Sequence, residues 1–544
     1  MVSTFAAAVL AALGLAGSTP AGHAVQGTQA GQAVQPSSPA FFVAGHGWGH
    51  GVGMPQYGAY GYALHGWTYD RIVPHYYTGT TLGRAPLRKV RVLLVGGSKR
   101  ILVSSRSSFF VRDGTGRKRK LAPGKQELKP GLKLNLAAAK RPRALPGPLV
   151  FSPGAAPLAV RGRTYRGTFR VTASGSRLRL VNTVGLESYL WGVVPSEMPD
   201  RWPAAALQAQ AVVARTYALR HLHTGDFDLY PDTRSQVYGG ISAESPTTSD
   251  AVNQTAGEIV LYKGRPANTF FYSSSGGKTA DVQDVWPSAQ PLPYLVSVPD
   301  PYDTLSPYHN WGPLRFPPKM LARRLHARGR VLDLRTDAGA SGRVRTLTVV
   351  GAKGDRTMSG AAVRAALGLR STWFQIGMLS LAPPARPLVF GSEAQLTGVV
   401  RGLPRVTLAT RPYGGQWKPL APLVPRGGQV SASVAPKLTT DYRLSTGKMR
   451  SGIVRLSVAP LVRILAASDK HSLSGQERPV LPGAAVQVQR LGQSGWATVS
   501  RTTTDTVGSF TARVELTPGS YRARVIAGKG FAVGVSKVLR VVAA

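Results

Sequence analysis

The chain of 544 residues contains no cysteine, which excludes disulfides, thiolate metal sites and thiol nucleophiles. Acidic residues are scarce: 25 Asp and Glu stand against 67 Lys and Arg, a formal net charge of +42. Such a field favours polyanionic partners: nucleic acid, anionic membrane surfaces or anionic polymers. Long apolar runs are also lacking, since no stretch of about 18 apolar residues follows residue 24. Residues 1–24 read as a secretory signal, with an apolar run over 5–15 and small residues up to Ala24. No Lys or Arg precedes that run, so the signal has a deficient start. Residues 25–39, rich in Gln, Ser and Pro, read as a disordered lead-in. Export argues against nucleic acid as a partner.

The few carboxylates are concentrated. Residues 186–303 hold 13 acidic and 7 basic side chains, a local net of −6, while the remainder carries +48. Between Arg84 and Arg143 the balance inverts, with 18 Lys or Arg against Asp113 and Glu127. That basic stretch lies in a region, about 85–181, whose short Val/Leu/Ile runs between Gly/Pro turns predict mostly β structure. Arg117-Lys118-Arg119-Lys120 reads there as a hairpin tip. A charge run of this kind is either a solvated face or a binding surface for an anionic polymer.

The island begins with LESYLWGVVPSEMPDRWPAAALQAQAVVARTYAL, residues 186–219. Residues 186–193 suffice for two helical turns. Pro195 and Pro199 then interrupt regular structure, because each lacks an N–H and restricts the residue before it. Pro203 suits a first helical position, and Leu207, Gln210, Ala211, Ala214, Tyr217 and Ala218 follow at 3–4 spacing. Glu197 is thus expected on an elbow between two helices. There a helix end would offer positive dipole, and Trp191, Met198 and Trp202 would exclude water. A carboxyl group so placed is prepared for general acid work; the bland alternative is a solvated loop charge.

Residues 41–59 read FFVAGHGWGHGVGMPQYGA, with glycine at every odd position from 45 to 53. In extended chain this leaves one bare face, against which a backbone or a sugar can lie. So many glycines make a helical zinc pair from His46 and His50 untenable. Beyond the long helix, His221, His223, Asp226, Asp228 and Asp232 cluster ahead of Ser235-Gln236-Val237-Tyr238. Residues 253–259 read as a helix entering a turn, followed by strands near 259–262 and 269–272. The loop YSSSGGKT, 272–279, lacks phosphate-loop spacing but offers hydroxyls and backbone N–H groups suited to sugars. After a proline-rich hinge at 382–387, Val406, Trp417, Val430, Val434 and Tyr442 recur about 80 residues later as Val486, Trp496, Phe510, Val514 and Tyr521. Two immunoglobulin-like sandwich modules, 388–460 and 461–544, are therefore expected.

Residues 186–219 resemble the signature of the stage II sporulation protein D family (the SpoIID/LytB domain), which runs E-x-Y-L-x-G-V-V-x-x-E-M-P, W-P and A-L-x-A-Q-A-V-A-A-R-T-Y-A. Residues 45–59 are similar to that family's G-x-G-x-G-H-G-V-G-M-S-Q-Y-G-A, with Pro55 in place of serine, and 63–80 continue it. In the family this second motif closes the domain after S-G-R-x-x-R-x-x-L-G-L-x-S-x-x-F, a segment found here from Ser359 to Phe374. The resemblance therefore implies a circularly permuted α+β catalytic domain over 40–381, followed by the two β modules. It implies a secreted, wall-associated peptidoglycan lytic transglycosylase with Glu197 as the catalytic residue. Substrate contacts are implied for His46, His50, Gln56, Gln210, Arg215, Tyr217, Ser275, Gly276, Gly277 and Thr279. Some relatives bind zinc through a cysteine before the Q-x-Y triplet; Ser235 is a poor ligand, so no metal and no cofactor is expected. Expected partners are glycan strands, anionic wall polymers and a wall amidase. The rival reading is a wall-binding modifier that stimulates an amidase and tolerates loss of Glu197.

Overall fold

Alternation of apolar and polar residues writes the first unit directly. Strand Leu149–Ser152 buries every second residue, and Arg177–Gly185 does so over most of its length. Six strands form one sheet, in the order Lys89–Ser98, Arg177–Gly185, Thr168–Ser174, Leu149–Ser152, Phe109–Arg112, Lys118–Leu121. A second sheet of four strands joins Arg163–Tyr165, Leu158–Val160, Ile101–Ser105 and Gly124–Leu128. Both contribute to a core containing Phe109, Leu149, Phe151, Leu158 and Phe169. The arginine-lysine run is not a tip: residues 118–120 lie in strand Lys118–Leu121, where Lys118 rests 4.1 Å over the Phe110 ring. The computed structural model describes residues 39–86, 88–136, 141–286, 288–384, 388–468, 470–528 and 530–542. The expected signal segment 1–24 lies outside them, as does the lead-in apart from Pro39.

From strand Arg177–Gly185 the chain passes straight into helix Leu186–Glu197. Helix Ala204–Arg220 packs beside it and is buried on nearly every side. Its alanines let two cores approach it: Ala211, Ala214 and Ala218 join the sandwich core, while Ala206, Leu207, Ala209, Val212 and Val213 join a second one. That second core includes Met54, Tyr62, Ile72 and Tyr76 from helices Gln56–Leu64 and Tyr69–Tyr76 and the chain leading into them. The helix expected at 253–259 sits earlier, at Pro246–Gln254, where Ser245 caps it by accepting from the Thr248 N–H. Residues 258–262 are already strand.

The strands on either side of the expected boundary at 382–387, of which 385–387 lie outside the described residues, belong to one sheet. A single five-stranded sheet runs Asn310–Phe316, Ala40–His46, Phe374–Ala382, Ala394–Arg401, Gln429–Val434, crossing from one expected domain into the next. Strand Ala40–His46 pairs antiparallel with Phe374–Ala382, from Ala40 opposite Leu379 to Gly45 opposite Phe374. It is apolar on both sides because each side is covered. Phe41 and Val43 enter a core with Phe316, Leu347 and Phe374, whereas Ala40 and Phe42 enter one with Leu396, Val406 and Leu444. The first C-terminal unit therefore shares its hydrophobic core with the domain before it. The second keeps its own, built from Leu473, Val486, Val488, Phe510, Tyr521 and Val525 between two sheets. The 80-residue repeat survives in detail: Arg443 covers Trp417 at 3.8 Å, and Arg522 covers Trp496 at 4.2 Å.

Candidate functional site

Glu197 is the last residue of helix Leu186–Glu197, which continues through Pro195 one turn beyond the expected stop. The Met198 N–H still donates to the Val194 carbonyl at 2.9 Å. Glu197 therefore stands at the C-terminal, negative end of its own helix, not near the positive dipole expected from the proline-bracketed elbow. Met198 and Trp202 are buried beside it as anticipated, with Trp202 stacked on Tyr60 at 4.5 Å. Trp191 instead donates to Asn253 Oδ1 and lies under the Arg166 guanidinium.

Two donors reach the Glu197 carboxyl. The Gln56 amide donates to Oε2 at 3.2 Å, and the Val237 N–H donates to Oε1 at 3.4 Å. Burial pushes the carboxyl above the usual carboxylate range, and these two hydrogen bonds only partly oppose it. A carboxyl whose pKa is raised by burial is better suited to deliver a proton than a solvated one. Val237 is a contributor that the sequence did not disclose; its triplet read only as a landmark for a lost zinc site. The flanking residues lock it in place. Gln236 accepts from the Tyr189 hydroxyl and donates to the Ala214 carbonyl, and the Tyr238 hydroxyl donates to Asn182 Oδ1.

Gln56 arrives through the glycine motif. Gly47, Gly49, Gly51 and Gly53 all have positive φ, between +69° and +128°, so the chain is not extended there. Side chains at Gly47 and Gly53 would strike the carbonyls of Ser274 and Phe270. Of the two occupants expected against the glycines, a backbone or a sugar, the protein's own 270–277 segment is the one that lies there. Strand Met54–Pro55 pairs parallel with Phe271–Tyr272, and helix Gln56–Leu64 begins at the next residue. His50 lies in this packing: Val52 N–H donates to Nδ1 at 3.1 Å and Nε2 lies 3.0 Å from the Phe271 carbonyl. Burial pushes its imidazole down to about 4. Both ring nitrogens are therefore engaged in holding the fold. His46 is half-buried, 4.7 Å from the Trp373 ring, with burial lowering its pKa.

Other expected contacts are turned inward. Arg215 has no exposed surface; it pairs with Glu187 at 2.6 Å and donates to the carbonyls of Val252 and Glu258. Gln210 is fully buried in the same helix. Thr279 Oγ1 accepts from the Val298 N–H and faces the Val296 carbonyl. The serine-glycine loop spends its donors on Asp303: Ser274 Oγ, Ser275 N–H and Gly276 N–H all point at that carboxylate, with His309 Nδ1 at 3.1 Å. The Gly277 N–H donates to Ser275 Oγ. Tyr217, half-buried, stacks on His221 at 4.3 Å. Of the ten residues grouped with Glu197, Gln56 is the one that hydrogen-bonds it.

The acidic island also finds its use. Asp228 pairs with Arg91, Glu244 with Arg166, and Asp226 with Arg179, so its carboxylates tie the helical region to the basic sandwich. Asp232 pairs with Arg234, and Ser235 Oγ accepts from the Tyr230 N–H. Among the described residues, no three His, Asp or Glu side chains converge as a metal site would require.

The family model described as "Stage II sporulation protein" matches residues 174–262, the stretch carrying strand Arg177–Gly185, Glu197 and the Val237 segment. Stage II sporulation protein D of Bacillus subtilis is 37% identical over 145 residues, covering 23% of this chain and 42% of that protein. The amidase enhancer of Bacillus subtilis is 43% identical over 115 residues, 21% of this chain and 15% of that protein. An uncharacterized protein of Brachyspira hyodysenteriae is 37% identical over 143 residues, 26% and 38% of the two chains. The matched stretches span less than half the length of each relative. A two-domain fibronectin type III segment of chicken tenascin covers 30% of this chain and 97% of its own, at 14% identity and a TM-score of 0.21, too slight a likeness to carry an argument. Residues 174–262 are thus similar to the stage II sporulation protein family, over a stretch that includes Glu197.

Proposed function

We propose that the protein is a lytic transglycosylase that cleaves peptidoglycan glycan strands between N-acetylmuramic acid and N-acetylglucosamine. The observation that carries this is the Glu197 carboxyl, raised in pKa by burial and contacted by an amide and a backbone N–H. In the proposed reaction Glu197 gives its proton to the glycosidic oxygen as the bond to muramyl C1 breaks. The resulting carboxylate then takes the proton of the muramyl C6 hydroxyl, whose oxygen bonds to C1 and closes a 1,6-anhydro ring. The proton balance returns to its start, and neither water nor a second carboxylate is consumed, unlike the paired-carboxylate scheme of ordinary glycosidases. Gln56 and Val237 would hold the carboxyl in one orientation through both transfers.

Export through residues 1–24 and retention on the wall complete the reading, with the basic sandwich binding anionic wall polymers. We further propose that the catalytic domain is circularly permuted: the glycine motif, placed first in the chain, returns to the closing strand Phe374–Ala382 through Ala40–His46.

A second reading has its own support. A relative named amidase enhancer is 43% identical over 115 residues, which favours a wall-binding modifier that stimulates an amidase. Digestion of purified peptidoglycan with the full chain, followed by mass spectrometry, separates them. Anhydromuramyl ends are expected; their absence, with faster hydrolysis by an added amidase, selects the modifier.

A further inference from the structure

Trp48 and Gln56 flank opposite edges of one segment: the Trp48 N–H donates to the Ser274 carbonyl, and the Tyr57 N–H to the Ser273 carbonyl. Two strand spacings, about 10 Å, separate the backbones on its two sides. On the Trp48 side opens a cleft of about 490 Å³ that no step of the proposed reaction uses. Trp48, between two glycines of positive φ, is one of the exposed aromatic rings of the molecule, at 39%. Tyr308 meets it edge-on at 4.5 Å. The Arg370 guanidinium lies 4.1 Å from the Tyr308 ring and 5.1 Å from that of Trp48. The Gly49 N–H bonds the Arg370 carbonyl at 3.0 Å, which ties the arginine to the glycine motif.

The chemistry of this cleft is one-sided. Arg370 has no carboxylate within ion-pair distance among the described residues, although most arginines near the acidic island do. No acidic side chain lines the cleft; its other polar side chains include Asn310 and Trp311. Trp311 is buried, and its Nε1–H has no acceptor. Aromatic walls and one guanidinium without an ion-pair partner together suit a ligand with an apolar ring face and a carboxylate.

We propose that this cleft is a subsite for a carboxylate-bearing sugar, with the ring of the sugar on Trp48 and its carboxylate on Arg370. The inference rests on the glycan-cleaving reading, because within a peptidoglycan strand it commits to the muramyl unit. The lactyl ether of that unit ends in a carboxyl group, which glucosamine lacks. Arg370 would then set the register in which the strand crosses the segment toward Glu197.

The test uses the full chain with Glu197→Gln, titrated calorimetrically with a muramyl-containing disaccharide as its free acid, with the methyl ester of the same sugar, and with N,N′-diacetylchitobiose. The free acid should bind about tenfold or more tightly than either neutral sugar, the scale of one charge-assisted bidentate contact. Adding Arg370→Gln should remove that preference, Arg370→Lys should keep part of it, and Trp48→Ala should weaken all three sugars. Equal affinity for acid and ester in the Glu197→Gln protein overturns the proposal, as does a preference that persists without Arg370. Should Arg370→Gln fail to fold, the acid–ester comparison with Arg370 in place still decides. Release of anhydromuramyl ends by the parent protein is scored separately. Preference without release keeps the cleft and removes the transglycosylase; release without preference does the reverse.

Discussion

Three carboxyl groups of the Glu197 region form a graded series. Asp303, fully buried, faces Ser274 Oγ, two backbone N–H groups and His309. Glu197, at the end of its helix, has two longer hydrogen bonds. Asp300, also fully buried, receives the Tyr76 hydroxyl at 2.9 Å on Oδ1, while Oδ2 makes no well-formed hydrogen bond among the described residues. Burial pushes Asp300 up to about 7 and raises Glu197 as well. Donor supply thus separates a carboxylate that organises a loop from one poised to exchange a proton. Burial alone does not make an acid; burial with few donors and access to a substrate does.

Glu197→Gln breaks the comparison at its most consequential point. The amide keeps the shape but has no proton to give and take back, so release of anhydromuramyl products should fall about 10²- to 10⁴-fold. Mass spectrometry of digested walls reads this, and the melting temperature should hardly move. Asp200→Asn, three residues on and exposed, should retain substantial activity.

Arg215→Met sharpens the distinction between site and scaffold. It strands Glu187 and two carbonyls inside the molecule, and breaking a buried pair typically costs about 3–5 kcal/mol. Chemical denaturation should show the loss; a stable variant with impaired sugar binding would return Arg215 to the groove.

Asp300→Asn tests the donor-poor extreme. The folded state holds its proton up to about pH 7, whereas an unfolded aspartate releases it near 3.9. Its stabilising contribution is therefore present below about pH 4 and is lost as pH rises toward 7. The variant should flatten the fall in melting temperature across that window by a few kcal/mol in equivalent stability. An unchanged slope would mean that Asp300 is ionised throughout.

Asp303→Asn tests the donor-rich extreme. One oxygen becomes an NH₂ facing groups that also donate, at a cost of about 1–3 kcal/mol, read as a lower melting temperature. The smallest effect belongs to Gln56→Leu. The Gln56 amide favours the charged form of Glu197, so its loss should raise that pKa further. The general acid then stays protonated to higher pH, and the alkaline limb of the pH–rate profile should move upward, with the rate near its optimum changing only several-fold.

Much of the site was legible because it is local. Helix periodicity over 204–220 and the placement of Glu197 beside Met198 and Trp202 follow from neighbours in sequence. The β character of about 85–181 follows from alternation, whereas the glycine stretch 47–53, expected as extended chain, takes positive φ instead. The long-range partners were not legible. Gln56 meets Glu197 across 141 positions and Val237 meets it across 40. Arg215 and Thr279 were implied as substrate contacts by the resemblance, yet each satisfies carbonyls or carboxylates brought from elsewhere.

By itself, the sequence determined the absence of thiol chemistry, the segregation of charge, the strand and helix periods and the placing of Glu197 between two helices, since each depends on composition or on spacing along the chain. Tertiary structure alone decided which carboxylates are satisfied and which are not. It also carried one sheet through the expected hinge and spent the serine loop on Asp303, because hydrogen-bond supply and burial arise only when distant segments close around the same atom.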